Sequence, residues 1–353
     1  MTSTQNPSRS IRAISLGHGL AALITSETTL YIIKRLLQAL LTLLLASALS
    51  FFVIQLAPGD FLSQLRQNPQ ISTETLQQFE AQFGLDKPIW EQYWQWLGQV
   101  IIRLNFGISF TYQRPVVELL WERIPNTLLL SIASIILTWA IAIPLGIISA
   151  VKENQFVDKI LRVISYIGQG FPTLITGLLL LFFAQITAPL FPVGGRTSVN
   201  HEDLIWIGKI LDIGWHMILP TLALSITSFA GLQRIMRGQL LDVLRQDYIQ
   251  TARAKGLPEN RVIYVHALRN AVNPLITILG FEFANLLGGA FITENYFNWP
   301  GLGRLTLQAV LAQDLYLVMA SLMMGAVMLI VGNLLADLAL MFVDPRIKLS
   351  EIN

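Results

Sequence analysis

The 353-residue chain contains no cysteine, so disulfides, thiolate nucleophiles and cysteine-ligated metals are excluded. Charged residues are scarce, at 13% against roughly 25% in an average soluble domain. Their near balance, a net charge of +2, says nothing in favour of nucleic acid, and none is expected as a partner. The four histidines, His18, His201, His216 and His266, show no HxxxH or HxH spacing, so no metal site is expected. There is no GxxxxGK[ST] loop and no nucleophile–base pattern. The chain is therefore read neither as an enzyme nor as an ATPase in its own right.

What it has in excess is apolar sequence, 53% of residues. Runs of about twenty apolar residues match a hydrocarbon core roughly 30 Å thick. Six spans are expected, at about 36–56, 127–151, 160–186, 213–235, 271–292 and 315–343. The fold class is accordingly an all-α polytopic membrane protein with six transmembrane helices.

Lys and Arg orient the loops by the positive-inside rule. Arg9, Arg12, Lys34 and Arg35 precede the first span, and Lys152, Lys159 and Arg162 flank the connection between the second and third. Arg234, Arg237, Arg245, Arg253, Lys255, Arg261 and Arg269 crowd the connection between the fourth and fifth, and Arg346 and Lys348 follow the sixth. Short loops of the opposite parity hold only Arg196, Lys209 and Arg304. Both termini are expected in the cytoplasm. Residues 1–30 read as a flexible tail, since the apolar piece at 17–24 is too short and broken for a signal peptide. Residues 344–353 form the tail at the other end.

Residues 58–125 are too long for a simple connection and are expected to be external and mostly helical. APGD (57–60) ends the first span, and Ser72 and Thr73 are able to cap a helix. Trp90, Tyr93, Trp94, Trp96 and Leu97 are expected on one side of another helix. That side reads either as a belt at the lipid–water boundary or as a docking surface for an external partner. FPVGGR (191–196) and NWPGLGR (298–304) belong to the same outer side, with Gly and Pro fixing turns. Trp299, Pro300, Gly301 and Gly303 are the candidate residues of an external gate or loop.

The most polar insertion is RQDYIQTARAKGLPENRVIYVHALRN (245–270). Leu241, Leu244, Tyr248 and Thr251/Ala252 recur at three and four, predicting an amphipathic helix over 240–254. Gly256 suits the positive-φ stop at its end, and Pro258 suits the first turn of a second helix over 258–267. Val262 and Val265 are expected on one side of that helix and Arg261 on the other, with Asn273 and Pro274 marking a bend back into the membrane. A partnerless basic loop, a helix lying on lipid and a helix inserted into a groove of a cytoplasmic protein are the competing readings. The sharp glycine stop favours the last.

These residues carry a resemblance. The stretch is similar to the "EAA" loop of permease subunits of binding-protein-dependent ABC importers, matching its general form at Ala252, Gly256 and Leu268. YIxTARAKGL and HALRNAxxP look like the version in the dipeptide/oligopeptide (or nickel) subfamily, in the permease with a large external segment after its first span. TLYIIKRLLQ, LAPGD, FGLDKP, SFTYQRPV, RIPNTL, FPVGGR, GGAFITE, WPGLGR and DPRIKL resemble that subfamily in the same order, over roughly 30–349.

The resemblance implies a type I ABC importer permease (MetI-like) fold. A first helix at 31–57 and the external segment would precede a permease core at 126–343, which includes the coupling loop at 238–270. It implies a multi-pass protein of the bacterial inner membrane, forming half of a pore for di- or oligopeptides. A second homologous permease, two cytoplasmic ABC ATPases, an external solute-binding protein and membrane lipid would be its partners. No cofactor would be bound by this chain, ATP and Mg belonging to the ATPases. The coupling role falls on Gln250, Thr251, Ala252, Arg253, Lys255, Gly256, Leu257, Pro258, Arg261, His266 and Leu268, with Gly256 and Ala252 permitting close approach. Gln250 stands where the family carries an acid, and Arg269 where it carries proline.

Glu282, in GFEFANLLGGA, is the one acid expected deep in a span. With Asn285, Thr221 and Ser225 it marks a candidate translocation path or permease interface. Gly168, Gly170, Gly177, Gly288 and Gly289 read as packing positions. Nickel chelates, glutathione or another small solute are the same-scaffold alternative. An ion-coupled secondary transporter or channel is the different-class one, disfavoured by the lack of several buried carboxylates and of an internal repeat.

Overall fold

The computed structural model describes residues 26–56, 61–66 and 72–343. Residues 1–25 and 344–353 and the APGD sequence (57–60) lie outside the described residues, as do the side chains at 280–289. A backbone in lipid must satisfy its polar groups internally, which favours helix throughout. The described residues form no strand, only an isolated bridge between Ile108 and Pro115.

The first long helix, α1, runs Ser26–Gln55. Three shorter ones follow: α2 (Phe61–Arg66), α3 (Thr73–Phe83) and α4 (Ile89–Arg103). Then come α5 (Val116–Val151), α6 (Phe156–Gly170), α7 (Thr173–Ile186) and α8 (Trp206–Leu244). The polar insertion forms α9 (Asp247–Ala254) and α10 (Glu259–Arg261), which passes through a π turn at Val262–Ala267 into α11 (Leu268–Ala271). The chain closes with α12 (Asn273–Tyr296), α13 (Leu302–Leu311) and α14 (Leu315–Val343).

Among the described residues, four stretches are long and apolar enough to cross a membrane: Ile33–Gln55, Val116–Val151, Trp206–Leu244 and Leu315–Leu335. The pair α6–α7 makes a fifth if it is one crossing. Here the expectation of a single helix over 160–186 is corrected, because α6 and α7 meet at 97°. Phe171 and Pro172 are both extended. Proline offers no N–H to continue α6 and drives the residue before it out of helical geometry. Pro125 and Pro144 in α5 and Pro220 in α8 stay inside continuous helices.

α5 and α8 pack together along their lengths. Ser225 Oγ of α8 donates to the Ser134 carbonyl of α5 (3.2 Å), and Ala142, Ile147, Leu232 and Met236 share one apolar cluster. In the segment after α1, Ser72 caps α3 by accepting the Thr75 N–H (3.2 Å), and Gly84 ends it at φ +66°. α4 departs from expectation. Tyr93, Trp96 and Leu97 are buried against α1 and α14, whereas Trp90 and Trp94 point outwards. The five expected residues cover about 160° of arc at about 100° per residue, wider than the face that packs.

Candidate functional site

The polar insertion folds as two short helical arms around Gly256. α8 stops at Leu244 instead of continuing to Ala254, because Gln246 is extended (φ −73°, ψ 148°). α9 then begins on Asp247, an acid where a helix N-terminus favours one. It ends in a Schellman turn: the Gly256 N–H donates to the Arg253 carbonyl (2.9 Å) and the Leu257 N–H to the Ala252 carbonyl (3.4 Å). Gly256 has φ +77°, and a Cβ placed there would meet nothing within 4 Å. The expected close approach at Gly256 is thus not made within this chain. The position demands left-handed backbone instead.

The second arm also differs from expectation. Pro258 is extended and precedes α10 rather than sitting in its first turn. The π turn then shifts the pattern of burial. Val262, Ile263 and Ala267 are buried, while Val265 is exposed, so Val262 and Val265 do not share a face. Asn273 and Pro274 start α12, with proline in its first turn. On the first arm Ile249 and Ala252 are buried and Tyr248 is exposed. These five buried side chains, with Ala271 of α11, join Ala150, Met236, Leu240 and Leu275 in one apolar cluster, fastening both arms to α5, α8 and α12.

Polar contacts tie the arms to each other. Arg253 clasps Glu259 across the turn (Nη2–Oε1 2.7 Å, Nε–Oε2 3.2 Å), and this hydrogen-bonded guanidinium holds the Glu259 carboxyl below its usual range. Asn270 Nδ2 donates to Tyr248 Oη (2.8 Å). Gln250, Thr251, Lys255, Pro258 and Arg261 are exposed around the turn. Leu257 and Leu268 are half-buried on the edge of the cluster, and His266 is half-buried as well.

Beside this element lies a buried acid that sequence reasoning missed. Asp158 is fully buried and accepts from Ser149 Oγ (2.5 Å), Arg237 Nε (2.7 Å), Arg237 Nη2 (2.9 Å) and the Asn154 N–H (2.8 Å). It therefore joins the α5–α6 turn to α8. Ser165 bonds Gln233 one turn deeper, and Arg245 pairs with Glu153 at the surface (3.0 Å). Reading Lys152, Lys159, Arg162 and Arg237 as a charge sum gave no sign of a specific carboxylate partner.

At the opposite end, RIPNTL, GGAFITE and WPGLGR meet. Thr127 Oγ1 donates to Glu294 Oε1 (2.5 Å) and accepts the Leu302 N–H (2.7 Å), while Glu294 Oε2 accepts the Arg304 N–H (3.1 Å). Together they satisfy first-turn N–H groups of α13 that have no partner within the helix. Asn126 Nδ2 donates to the Pro300 carbonyl (2.8 Å), and the fully buried Trp299 donates through Nε1 to the Asn126 carbonyl (3.1 Å). A Cβ on Gly301 would collide with the Glu294 carboxylate, and one on Gly303 would lie 2.5 Å from Phe291 Cα. FPVGGR docks on the same joint, with the Gly195 N–H on the Phe297 carbonyl (2.8 Å) and Phe191 stacked on Trp215. SFTYQRPV is held by Asp314, whose Oδ2 accepts from Ser109 Oγ (2.5 Å) and the Thr111 N–H (2.9 Å). Glu294 and Asp314 are both fully buried, and neither was singled out from sequence.

The candidate path residues are divided between two packed helices, α8 and α12. Ser225 is committed to the bond with α5, and Thr221 is buried with its hydroxyl unpartnered. Glu282 and Asn285 lie on α12, but their side chains fall outside the described residues. A cavity of about 350 Å³ opens beside the Glu294–Thr127 joint, among Thr127, Phe291, Leu302, Thr306, Ser321 and Gly325.

Comparison with known proteins agrees with this architecture. A family model described as "Binding-protein-dependent transport system inner membrane component" matches residues 142–349. A second model, for the N-terminal part of such a membrane component, matches 29–131. The chain is 41% identical over 319 residues to the oligopeptide transport system permease protein AppB of Bacillus subtilis (strain 168), covering 90% of this chain and 99% of that protein. It is 36% identical over 334 residues to the dipeptide transport system permease protein DppB of Escherichia coli (strain K12), covering 90% and 98%. It is 34% identical over 319 residues to the glutathione transport system permease protein GsiC of Escherichia coli O1:K1 / APEC, covering 90% and 98%. The chain belongs to the family of binding-protein-dependent transport system inner membrane components, as a multi-pass, non-catalytic permease subunit of an ABC importer.

Proposed function

We propose that this chain forms half of the translocation pore of an ATP-driven importer of di- and oligopeptides delivered by an external binding protein. The names of the oligopeptide and dipeptide relatives support the solute class. The observation that carries the coupling role is the Gly256 element, whose buried side is fixed to α5, α8 and α12 while Tyr248, Tyr264 and Val265 stand exposed. Such a surface suits insertion into a groove on a cytoplasmic partner.

On this reading α1, α5, the α6–α7 pair, α8, α12 and α14 are six crossings, with both termini cytoplasmic and residues 58–125 associated with the outer side. α12, with 24 residues, is about 36 Å long at 1.5 Å per residue, enough to span. A second homologous permease completes the pore, and two ATPases carry ATP and Mg. When the ATPases close, the seated arms move. Their apolar anchorage transmits that displacement into three crossings, which a loose loop would dissipate. Tyr248, Gln250, Thr251, Lys255 and Arg261 meet the ATPase, while Ile249, Ala252, Val262 and Ile263 hold the arms to the membrane helices. The joint of Trp299, Pro300, Gly301 and Gly303 fixes the outer end of α12 against α5.

The name of the glutathione relative favours a second reading on the same scaffold, import of a modified tripeptide rather than ordinary peptides. Proteoliposomes holding the full complex and its binding protein decide between them. Labelled di- and oligopeptides should accumulate with ATP, stop when ATP is depleted and continue when the proton gradient is collapsed. Uptake that follows the proton gradient overturns the importer reading; glutathione uptake without peptide uptake supports the second.

A further inference from the structure

Helix α4 belongs to the segment expected to stand outside the membrane. We infer that it lies in the outer leaflet instead, with Trp90, Trp94 and Ile101 against lipid acyl chains.

Depth comes from what its inner face touches. Tyr93 Oη hydrogen-bonds with Ser47 Oγ (3.0 Å), and its ring sits 5.3 Å from that of Phe51. Trp96, Leu97 and Val100 share an apolar cluster with Leu44, Met319 and Met323. Ser47 and Phe51 are inside the apolar crossing Ile33–Gln55, and Met319 and Met323 are inside Leu315–Leu335. At 1.5 Å per residue, Ser47 is about 12 Å below Gln55 and Met323 about 12 Å below Leu315. One leaflet supplies about 15 Å of hydrocarbon. The inner face of α4 is therefore packed at acyl-chain depth, and its adjoining face meets whatever surrounds α1 and α14 there.

The rest of the helix is largely sorted as that position requires, the exception being Ile102, which is 80% exposed on the polar side. Trp90, Trp94 and Ile101 fall within about 40° of arc beside the buried face, and they are 69%, 65% and 62% exposed. No charge lies in that sector. Glu91, Gln95 and Gln99 occupy the far side, where Lys87 Nζ donates to Gln95 Oε1 and Gln95 Nε2 to Glu91 Oε1 (both 2.9 Å). An apolar flank beside a polar stripe is the pattern of a helix lying in a membrane interface. The flank also continues a surface of one kind, since α1 exposes Leu45, Leu49, Phe52 and Val53 in the same crossing. At that depth an external protein could reach the polar stripe but not the tryptophans. The leaflet is the outer one on the orientation proposed above; the depth of α4 is independent of it.

Because the chain has no cysteine, single nitroxide labels can be placed at Trp94→Cys, Ile101→Cys and Gln95→Cys, with Leu45→Cys on α1 as the lipid reference. The full complex is held in nanodiscs of phosphatidylethanolamine and phosphatidylglycerol, with the signal of the unaltered complex subtracted. Labels at 94 and 101 should be relaxed by oxygen in preference to a nickel chelate, as at 45, and the label at 95 should show the reverse. A nickel preference at 94 and 101, or shielding from both agents by a covering protein, overturns the inference. ATP-driven uptake by the same variants is read separately. Lipid-type relaxation in a complex that imports nothing leaves α4 in the leaflet and counts only against the proposed function.

Discussion

Gly256 and Gly301 both resist substitution, for opposite physical reasons. Gly256 has a φ of +77° with open space around it, whereas Gly301 has ordinary extended backbone (φ −100°, ψ −177°) with a carboxylate where a Cβ would go. Left-handed backbone costs an L-residue about 1–2 kcal/mol, and asparagine tolerates it best. Gly256→Asn should therefore retain most ATP-driven uptake, while Gly256→Val should lose uptake and release the ATPases on purification. Unchanged uptake and assembly in Gly256→Val would remove the coupling role. Gly301→Ala instead overpacks the Glu294–Thr127 joint, at about 1–3 kcal/mol. It should lower the melting temperature of the detergent-purified complex while leaving the ATPases bound. A Gly301→Ala complex that melts with the parent would show that the Glu294 carboxylate gives way freely.

At the scale of elements, α6 and the turn before it are fastened to α8 and its C-terminal end by bonds of unequal worth. Asp158 is fully buried at the contact and Arg237 partly so, whereas Arg245 and Glu153 are both exposed. Removing one partner of a buried pair costs about 3–5 kcal/mol, but a surface pair contributes about 0–1 kcal/mol. Asp158→Asn should thus destabilise the purified complex markedly, and Arg245→Ala scarcely at all. Thermal melts of the two variants side by side check this, and equal midpoints would deny Asp158 its bracing part. The positions of α1, α5 and α14 were legible in the sequence, because an apolar run long enough to cross has few other ways to fold. The bend at Phe171–Pro172 was not, since Pro144 and Pro220 sit in similar apolar runs without breaking their helices. Nor was the break at Gln246, across which apolar periodicity continues. The π turn was hidden for a related reason, because Val262 and Val265 are spaced for one face of a regular helix. Asp158, Glu294 and Asp314 escaped notice because burial of an acid depends on partners distant in the sequence. Gly256 was legible as a left-handed stop, and its Schellman bonds show why that signal was local.

For the whole molecule, the described side chains show how each end is built and leave the transported solute to the middle. The arms around Gly256 fix one end of α12, and the Glu294–Thr127 joint fixes the other. On the proposed coupling, movement of the arms is delivered along α12, the helix that carries Glu282 near its midpoint. A carboxylate at membrane depth is costly unless it faces a hydrated cavity or a polar partner. On a pore-half reading that cavity lies between the two permeases. Glu282→Gln keeps the shape and removes the charge, so the complex should assemble and its arms should still engage the ATPases. Peptide uptake should fall, with the largest loss for peptides whose free amino group is available to a carboxylate and a smaller one for N-acetylated peptides. The measurement is initial uptake of paired free and acetylated peptides at equal ATPase turnover. If every candidate solute enters the Glu282→Gln complex at the parental rate, the residue belongs to helix packing or to the contact with the second permease, and the path must be sought elsewhere along α12.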